Sequence, residues 1–194
     1  MAPIIGGMEK TGVLALQGDF REHARVLSAV GATAIEIRTA QQLADVDRLV
    51  IPGGESTTVG KLARSSGLVE PIRERARAGM PILGTCAGMI ALADRVIDGE
   101  PLLSLMDVTV RRNAYGRQVD SFEADVDVDG IDHRVRGVFI RAPWIEDVGA
   151  GVRVLSTYEG RPVVLQQGSL LAASFHPELV GETALHGYFL SLSR

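Results

Sequence analysis

The sequence lacks several features that would place it in a specialised class of protein. Its 194 residues include one cysteine, so an internal disulfide is impossible and a reduced cytoplasmic location is the simplest expectation. No run approaches the ~20 apolar residues of a membrane span, and no basic segment leads into an apolar run as in a secretion signal. Lys and Arg number 20 against 24 Asp and Glu, which gives a net charge of -4. This balance favours neither nucleic acid nor an anionic membrane as a partner.

The composition is that of a folded protein, with 46% hydrophobic and 23% charged residues. A chain of this length is long enough for one α/β domain with a full core, and short for two. Because regular patterning starts only at Thr11, we expect residues 1–10 to be a flexible N-terminal extension and 11–194 to be a single domain.

Apolar runs and helical spacing alternate along the first half of the chain. Strands are predicted at 12–16, 33–38, 48–54 and from 81, with helices at about 20–30 and 56–78, the latter interrupted near 65–67 and Pro71. Such alternation predicts a flavodoxin-like three-layer α/β sandwich with a mostly parallel central sheet. After Leu102 the β-rich runs predict antiparallel strands added to that sheet, and a last helix is expected at about 181–192.

The only cysteine, Cys86, lies in the sequence GTCAG, where a predicted strand meets a predicted helix. This is the G-x-nucleophile-x-G form of a nucleophile elbow, in which glycines avoid clashes at a sharp turn. The positive end of the helix dipole favours a thiolate there, and the N–H of Ala87 would point at the oxygen of an attacked carbonyl. A lone cysteine in an apolar run is otherwise a small buried hydrophobe, but the elbow favours a nucleophile.

A thiol nucleophile needs a base, and the sequence offers four histidines. A surface or packing role is expected for three of them, His23, His133 and His186. His176 instead ends an apolar strand and is followed by Pro177 and Glu178, which puts a carboxylate two residues away. A carboxylate that orients an imidazole completes a catalytic triad.

A glycine-rich turn, PGGEST, follows the strand predicted to end at 54. A comparison with phosphate-binding P-loops fails, because the spacing is one residue too long and Leu62 stands where Ser or Thr is required. We expect the N–H of Gly54 to be the second donor of an oxyanion hole, beside Ala87. A helix-capping turn with Ser56 or Thr57 as N-cap is the alternative, and the two readings are compatible.

Together, GTCAG, the HPE strand end and PGGES resemble the triad-type, or class I, glutamine amidotransferases. The longer stretches LALQGDFREH, RRNAYGRQVDSFEAD and GVFIRAP resemble the glutaminases of this family that serve pyridoxal 5'-phosphate synthesis, over about residues 12–178. The resemblance implies that glutamine is hydrolysed through a thioester on Cys86, with no cofactor or metal. It also implies a set of residues that line the glutamine site: Gly54, Glu55, Ser56, Arg112, Ile140 and Arg141.

The resemblance further implies a partner, the (β/α)₈-barrel synthase subunit that receives the ammonia to make pyridoxal 5'-phosphate. Gln17 lies beside the predicted oxyanion turn, so contact with this partner is expected to be coupled to the site there. Two other readings remain open: a flavodoxin-like cysteine amidase or peptidase of other substrates, and a non-catalytic module whose thiol senses redox state. The second lacks a resolving cysteine.

Overall fold

The computed structural model describes residues 9–112 and 121–193. The strands are β1 Lys10–Leu14, β2 Thr33–Ile37, β3 Arg48–Ile51, β4 Ile82–Thr85, β5 Ala93–Ile97, β6 Met106–Arg111, β7 Phe122–Val126, β8 Val135–Phe139, β9 Trp144–Val148, β10 Arg153–Tyr158, β11 Arg161–Gln167 and β12 Leu170–Ala173. The helices are α1 Phe20–Ala29, α2 Ala40–Ala44, α3 Ser56–Ser65, α4 Val69–Arg77, α5 Ala87–Leu92 and α6 Ala184–Ser191, with a 3-10 turn at Glu178–Val180. None of these helices is long and apolar enough to span a membrane.

The central sheet has seven strands in the order β10-β11-β12-β4-β3-β1-β2. The five strands from β12 to β2 are parallel, and β11 and β10 extend one side in antiparallel fashion. With β12 in the fifth place, the parallel part has the 2-1-3-4-5 order of flavodoxin-like folds. The predicted mostly parallel sheet with added antiparallel strands is therefore confirmed.

Apolar side chains of the parallel strands alternate between two cores, one on each face of the sheet. In β3, Leu49 and Ile51 join the core under α3, α4 and α5, whereas Val50 joins the core under α1 and α6. The period of two along a strand produces this division, and it explains why these strands read as continuous apolar runs. The result is the predicted arrangement of three layers.

Two features of the architecture differ from the prediction. β1 begins at Lys10, one residue before the expected start of order, because Lys10 pairs with Thr33 and its carbonyl accepts the N–H of Asp47 at 2.8 Å. Residues 1–8 of the predicted extension lie outside the described residues. Of the β-rich runs after Leu102, four form small separate sheets, β5-β6-β9 and β7-β8, which cover opposite faces of the central sheet and do not extend it.

Candidate active site

Four chain segments meet at the carboxyl edge of the parallel sheet. They follow β1, β3, β4 and β12, and they carry Gln17, Gly54, Cys86 and His176 respectively. Ligands of open α/β sheets bind at this edge, where the strand order reverses. In this order the reversal lies between β1 and β3, so the predicted site residues lie where the topology favours a site.

Cys86 occupies a strained turn between β4 and α5. Its φ of 48° lies in the left-handed region that non-glycine residues rarely adopt. Its N–H donates to the carbonyl of Ala173 at 2.8 Å, which ties the turn to β12. A Cβ at Gly88 would overlap the carbonyl oxygen of Ile51, so the turn requires glycine there. The thiol is only 7% exposed, and its Sγ lies 3.9 Å from the carbonyl oxygen of Ile140.

His176 lies just beyond β12 and is fixed by its backbone and by its ring. Its N–H and carbonyl form a bridge with Val138 of β8, with N–O distances of 2.9 and 3.1 Å. Its Nδ1 is hydrogen-bonded to Oε1 of Glu178 at 2.7 Å, and its ring also contacts the Cys86 thiol. The predicted Cys, His and Glu residues are thus brought together in the order that a triad requires.

The ionisation of this group follows from its contacts. Burial disfavours a charge on His176, but hydrogen bonds with Asp19, Cys86 and Glu178 outweigh it and raise its pKa to about 12. Burial likewise disfavours ionised Glu178, whereas attraction to His23 and hydrogen bonds with the two histidines hold its pKa below the ordinary range. An imidazolium facing a carboxylate is the state these contacts favour.

The loop after β1 clamps the loop after β3. The side-chain Oε1 of Gln17 accepts the N–H of Glu55 at 2.8 Å, and the N–H of Asp19 donates to the carbonyl of Gly53 at 3.2 Å. Gly18 has a φ of 92°, and a Cβ there would overlap the Gly53 carbonyl. The position of Gly54, the expected oxyanion donor, therefore depends on Gln17 and its neighbours.

Glu55 is the N-cap of α3, which corrects the alternative that placed Ser56 or Thr57 there. Its carboxylate accepts the N–H of Thr57 at 2.9 Å and the N–H and hydroxyl of Thr58 at 2.7 Å each. These bonds, led by that of the Thr58 side chain, lower the pKa of Glu55 to about 2. Ser56 is instead the first residue of the helix.

A cavity of about 260 Å³ opens beside Cys86 and His176. Every residue expected at the glutamine site lines it: Gly54, Glu55, Ser56, Arg112, Ile140 and Arg141, together with Ala87 of the expected oxyanion hole. Glu178 lies behind His176, and Gln17 supports the wall without lining it. Sequence positions more than 50 residues apart therefore share one small pocket.

The two arginines of the cavity are held differently. The guanidinium of Arg112 donates to Oγ1 of Thr57 at 2.9 Å and lies 3.8 Å from Glu55. Arg141 is exposed, has a φ of 44°, and has no carboxylate partner among the described residues. A left-handed backbone at a non-glycine residue is maintained only where its surroundings enforce it, and here it brings Arg141 to the cavity.

Two polar residues of the site were not predicted. Asp19 lines the cavity, and its Oδ2 lies 3.4 Å from Nδ1 of His176. His23 is completely buried, and its Nε2 lies 3.4 Å from Oε1 of Glu178. Asp19 comes shortly after the first predicted strand, at the edge where ligands bind, so its position was an available signal. No local pattern marks His23.

The remaining expectations divide. His23 and His186 are buried, and His23 contacts the triad as described above, whereas His133 is exposed in a loop. Residues 113–120 of the stretch RRNAYGRQVDSFEAD lie outside the described residues.

Asp19, His176 and Glu178 present ligand atoms within 4.8 Å of one another, close enough for a metal. The hydrogen bond between His176 and Glu178 already joins two of these atoms. That the site works without a metal stays a prediction.

The chain was compared with protein families, named proteins and solved structures. Residues 13–193 match the SNO glutamine amidotransferase family. A protein of Frankia alni called pyridoxal 5'-phosphate synthase subunit PdxT is 55% identical over 189 residues, 95% of each chain. A protein of the same name from Mycobacteroides abscessus is 51% identical and covers 100% of this chain and 99% of its own.

Solved structures of similar fold include a glutamine amidotransferase. A crystal structure described as a glutamine amidotransferase is 48% identical, with a TM-score of 0.89 over 94% of this chain and 97% of that one. A structure described as PurLQS from Thermotoga maritima is 18% identical, with a TM-score of 0.76 over 95% and 97% of the two chains, and shares the fold. Because the family match covers residues 13–193, nearly the whole length, the chain belongs to the SNO glutamine amidotransferase family.

Proposed function

We propose that the protein hydrolyses L-glutamine to L-glutamate and ammonia through a thioester on Cys86. The observation that carries the proposal is the alignment of Cys86, His176 and Glu178 beside a cavity of about 260 Å³, with the His176–Glu178 hydrogen bond at 2.7 Å. A pocket of this size suits a free amino acid.

Each side chain has a part in the reaction. The Sγ of Cys86 attacks the side-chain carbonyl carbon of glutamine, and the N–H groups of Ala87 and Gly54 stabilise the oxyanion. His176, kept protonated by its raised pKa, gives its proton to the amide nitrogen, and ammonia leaves as the thioester forms. His176 then takes a proton from water, which attacks the thioester. The C–S bond breaks, glutamate leaves, and the unprotonated Cys86 sulfur and the protonated His176 are restored for the next cycle. Glu178 fixes the orientation of the imidazole throughout.

The charges of the cavity fit an amino-acid zwitterion. Arg112 and Arg141 are guanidinium groups, whose planar donors match an α-carboxylate. Asp19 and Glu55 supply negative charge for the α-ammonium group. A peptide bond inside a chain lacks both terminal charges, which favours glutamine over the peptidase reading.

The decisive assay is glutamate release from glutamine by the wild type and by Cys86→Ala. We expect loss of turnover in the variant, because the nucleophile is gone while the methyl side chain still fits the buried turn. A glutamine-analogue affinity label should add one equivalent to the wild type, on the peptide that carries Cys86. Unchanged turnover in Cys86→Ala, or a label elsewhere, would remove this mechanism. Asparagine and a glutamine-containing peptide serve as substrate controls, since both should be poor substrates.

We further propose that the ammonia passes to a synthase subunit that makes pyridoxal 5'-phosphate. The support is the name of the relatives, which are pyridoxal 5'-phosphate synthase subunits at 51% to 55% identity over nearly the whole chain. The resemblance implies that this subunit is a (β/α)₈ barrel. A nucleophilic thiol must stay reduced, which supports a cytoplasmic location.

A further inference from the structure

Behind the triad the structure buries two histidines that the proposed reaction does not use. His23 of α1 and His186 of α6 are both 0% exposed. Burying an imidazole costs free energy unless its nitrogens find partners. Their partners therefore indicate what the pair does.

The partners of His23 lead directly to the triad. Its Nε2 lies 3.0 Å from Oγ1 of Thr85 and 3.4 Å from Oε1 of Glu178, the oxygen that also bonds Nδ1 of His176. Its Nδ1 lies 2.8 Å from Nε2 of His186. Two histidines thus contact one carboxylate oxygen, and α1, α6, β4 and the 3-10 turn are joined at this point.

The proton positions follow from these distances. Nε2 of His23 faces two oxygens, so a proton there satisfies both, whereas a lone pair would face the carboxylate. The hydrogen bond between His23 and His186 needs one proton, which either ring can supply. Burial, and then the neighbouring His23, lower the pKa of His186 to about 3, so His186 is neutral. Nε2 of His23 therefore carries a proton, with Oγ1 of Thr85 3.0 Å away and Oε1 of Glu178 3.4 Å away.

Thr85 connects this network to the other half of the site. Its Oγ1 accepts the N–H of Gly53 at 3.2 Å while it faces His23. Thr85 directly precedes Cys86, and Gly53 directly precedes Gly54. One buried cluster therefore contacts the carboxylate of the triad and the residues next to the nucleophile and the expected oxyanion donor.

We propose that His23 is a positioning residue for glutamine hydrolysis: from behind the triad it donates to Glu178 and holds Oε1 of that carboxylate on the catalytic imidazole. The inference rests on the proposed function for the reaction itself. Oε2 of Glu178 is buried and has no hydrogen-bond partner among the described residues, so the contacts of Oε1 with His176 and His23 are the ones that hold this carboxylate in place. A histidine that only filled space would need no contact with the carboxylate.

Variants of His23 test the proposal through the pH dependence of glutamine hydrolysis, measured with the full chain and saturating synthase subunit. His23→Leu should lower kcat about tenfold, with KM little changed, because a hydrogen bond to a charged group is lost. The other titratable groups around His23 and Glu178 are His176, Asp19, Cys86 and His186. Because His23 lowers the pKa of Glu178, its loss should raise that pKa and move the acid limb of the profile to higher pH.

Conservative and remote variants separate positioning from packing. His23→Gln, whose amide nitrogen can occupy the place of Nε2, should restore most of kcat and the position of the acid limb. His133→Leu and His133→Gln are the matched controls, since His133 is an exposed histidine. A folded His23→Leu protein with the wild-type kcat and pH profile would overturn the proposal. Equal losses in His23→Leu and His23→Gln with an unchanged profile would also overturn it.

A spectroscopic measurement decides the question even if His23→Leu does not fold. In protein labelled with ¹⁵N-histidine, Nε2 of His23 should show a protonated, hydrogen-bonded nitrogen whose chemical shift changes in Glu178→Gln. The shifts of His133 should not change. An Nε2 signal of His23 that is unprotonated, or that does not respond to Glu178→Gln, would refute the assignment. Failure of the proposed function would appear separately, as wild-type protein without glutaminase activity.

Discussion

Glu178 is a fully buried carboxylate whose charge is shared between two histidines. Burial alone would raise its pKa, and the contacts with His23 and His176 reverse this direction. A carboxylate in this state stays ionised well below neutral pH. At neutral pH it can therefore orient His176 without taking the proton itself.

His176→Ala and Glu178→Gln should separate the base from the group that orients it. We expect His176→Ala to lower kcat by about 10³-fold or more, because no other histidine among the described residues lies beside Cys86 to move the proton. Glu178→Gln keeps the shape but removes the charge, so we expect a smaller loss of at least about tenfold. Glutamate release measured beside His133→Ala, which should match the wild type, checks both. An inactive but folded His133→Ala would mean that the wrong base was chosen.

The residues of the triad were predictable because each carries a local signal: a thiol between glycines, and a histidine followed two residues later by a carboxylate. The contacts of Asp19 and His23 were not, since they join the first loop and helix to residues more than 150 positions later. No pattern within α1 distinguishes a histidine that packs from one that faces a buried carboxylate. That distinction depends on where the 3-10 turn lies in space.

At the scale of elements, α3 begins at the wall of the cavity, and its N-cap is part of that wall. Glu55 engages the N–H groups of Thr57 and Thr58 with its side chain and accepts support from Gln17 through its own N–H. The free N–H groups of a first helical turn favour a carboxylate there. The start of the helix and the shape of the cavity beside Cys86 therefore depend on the same residue.

Glu55→Ala should lower the free energy of unfolding by about 1 kcal/mol, the usual cost of losing an N-cap. The pKa of Glu55 is lowered from 4.5 to about 2, so its contribution is complete above pH 4.5 and is lost as the pH falls towards 2. Urea unfolding at pH 7 and pH 3 should therefore show a smaller difference between variant and wild type at the lower pH.

Glu74→Ala is the matched control for Glu55→Ala, because Glu74 is exposed within α4 and has no ion pair among the described residues. We expect it to change stability by less than about 0.5 kcal/mol at either pH. A Glu55→Ala effect that does not shrink at low pH, or that Glu74→Ala reproduces, would contradict the capping role.

The prediction for the helices around Pro71 shows a limit of local patterns. The predicted interruption near 65–67 is present, since α3 ends at Ser65 and α4 begins at Val69. The interruption predicted at Pro71 is absent, because Pro71 is the third residue of α4. The N–H groups of a first turn have no partner within the helix, so a proline there removes no hydrogen bond.

The same limit applies to the strands after Leu102, since alternation predicts a strand but not the sheet that it joins. β6 to β9 form small sheets because the faces of the central sheet still need apolar cover.

At the scale of the whole molecule, the loops of the carboxyl edge leave the site facing outward on one side. Ammonia released into water would mostly protonate and lose its nucleophilic lone pair, so a partner that receives it must dock on this face. We expect the synthase subunit to cover Cys86 and the loops at 17–18 and 53–54. Because Gln17 holds the N–H of Glu55 beside Gly54, contact at Gln17 would adjust the expected oxyanion donor.

Glutamine hydrolysis by the isolated chain should therefore be weak and should rise strongly when the synthase subunit is added. Gln17→Ala should reduce this rise more than it reduces the free energy of unfolding, since it loses one hydrogen bond at an exposed loop. Gln167→Ala is the matched control: its Oε1 also accepts a backbone N–H at 2.8 Å, that of Asp107, but at the opposite edge of the sheet. It should leave the activation unchanged. The measurements are glutamate release with and without the synthase subunit, its affinity for each variant, and urea unfolding. Full activity of the chain alone, unaffected by a synthase subunit shown to bind it, would overturn the activation and leave the assignment of the triad intact.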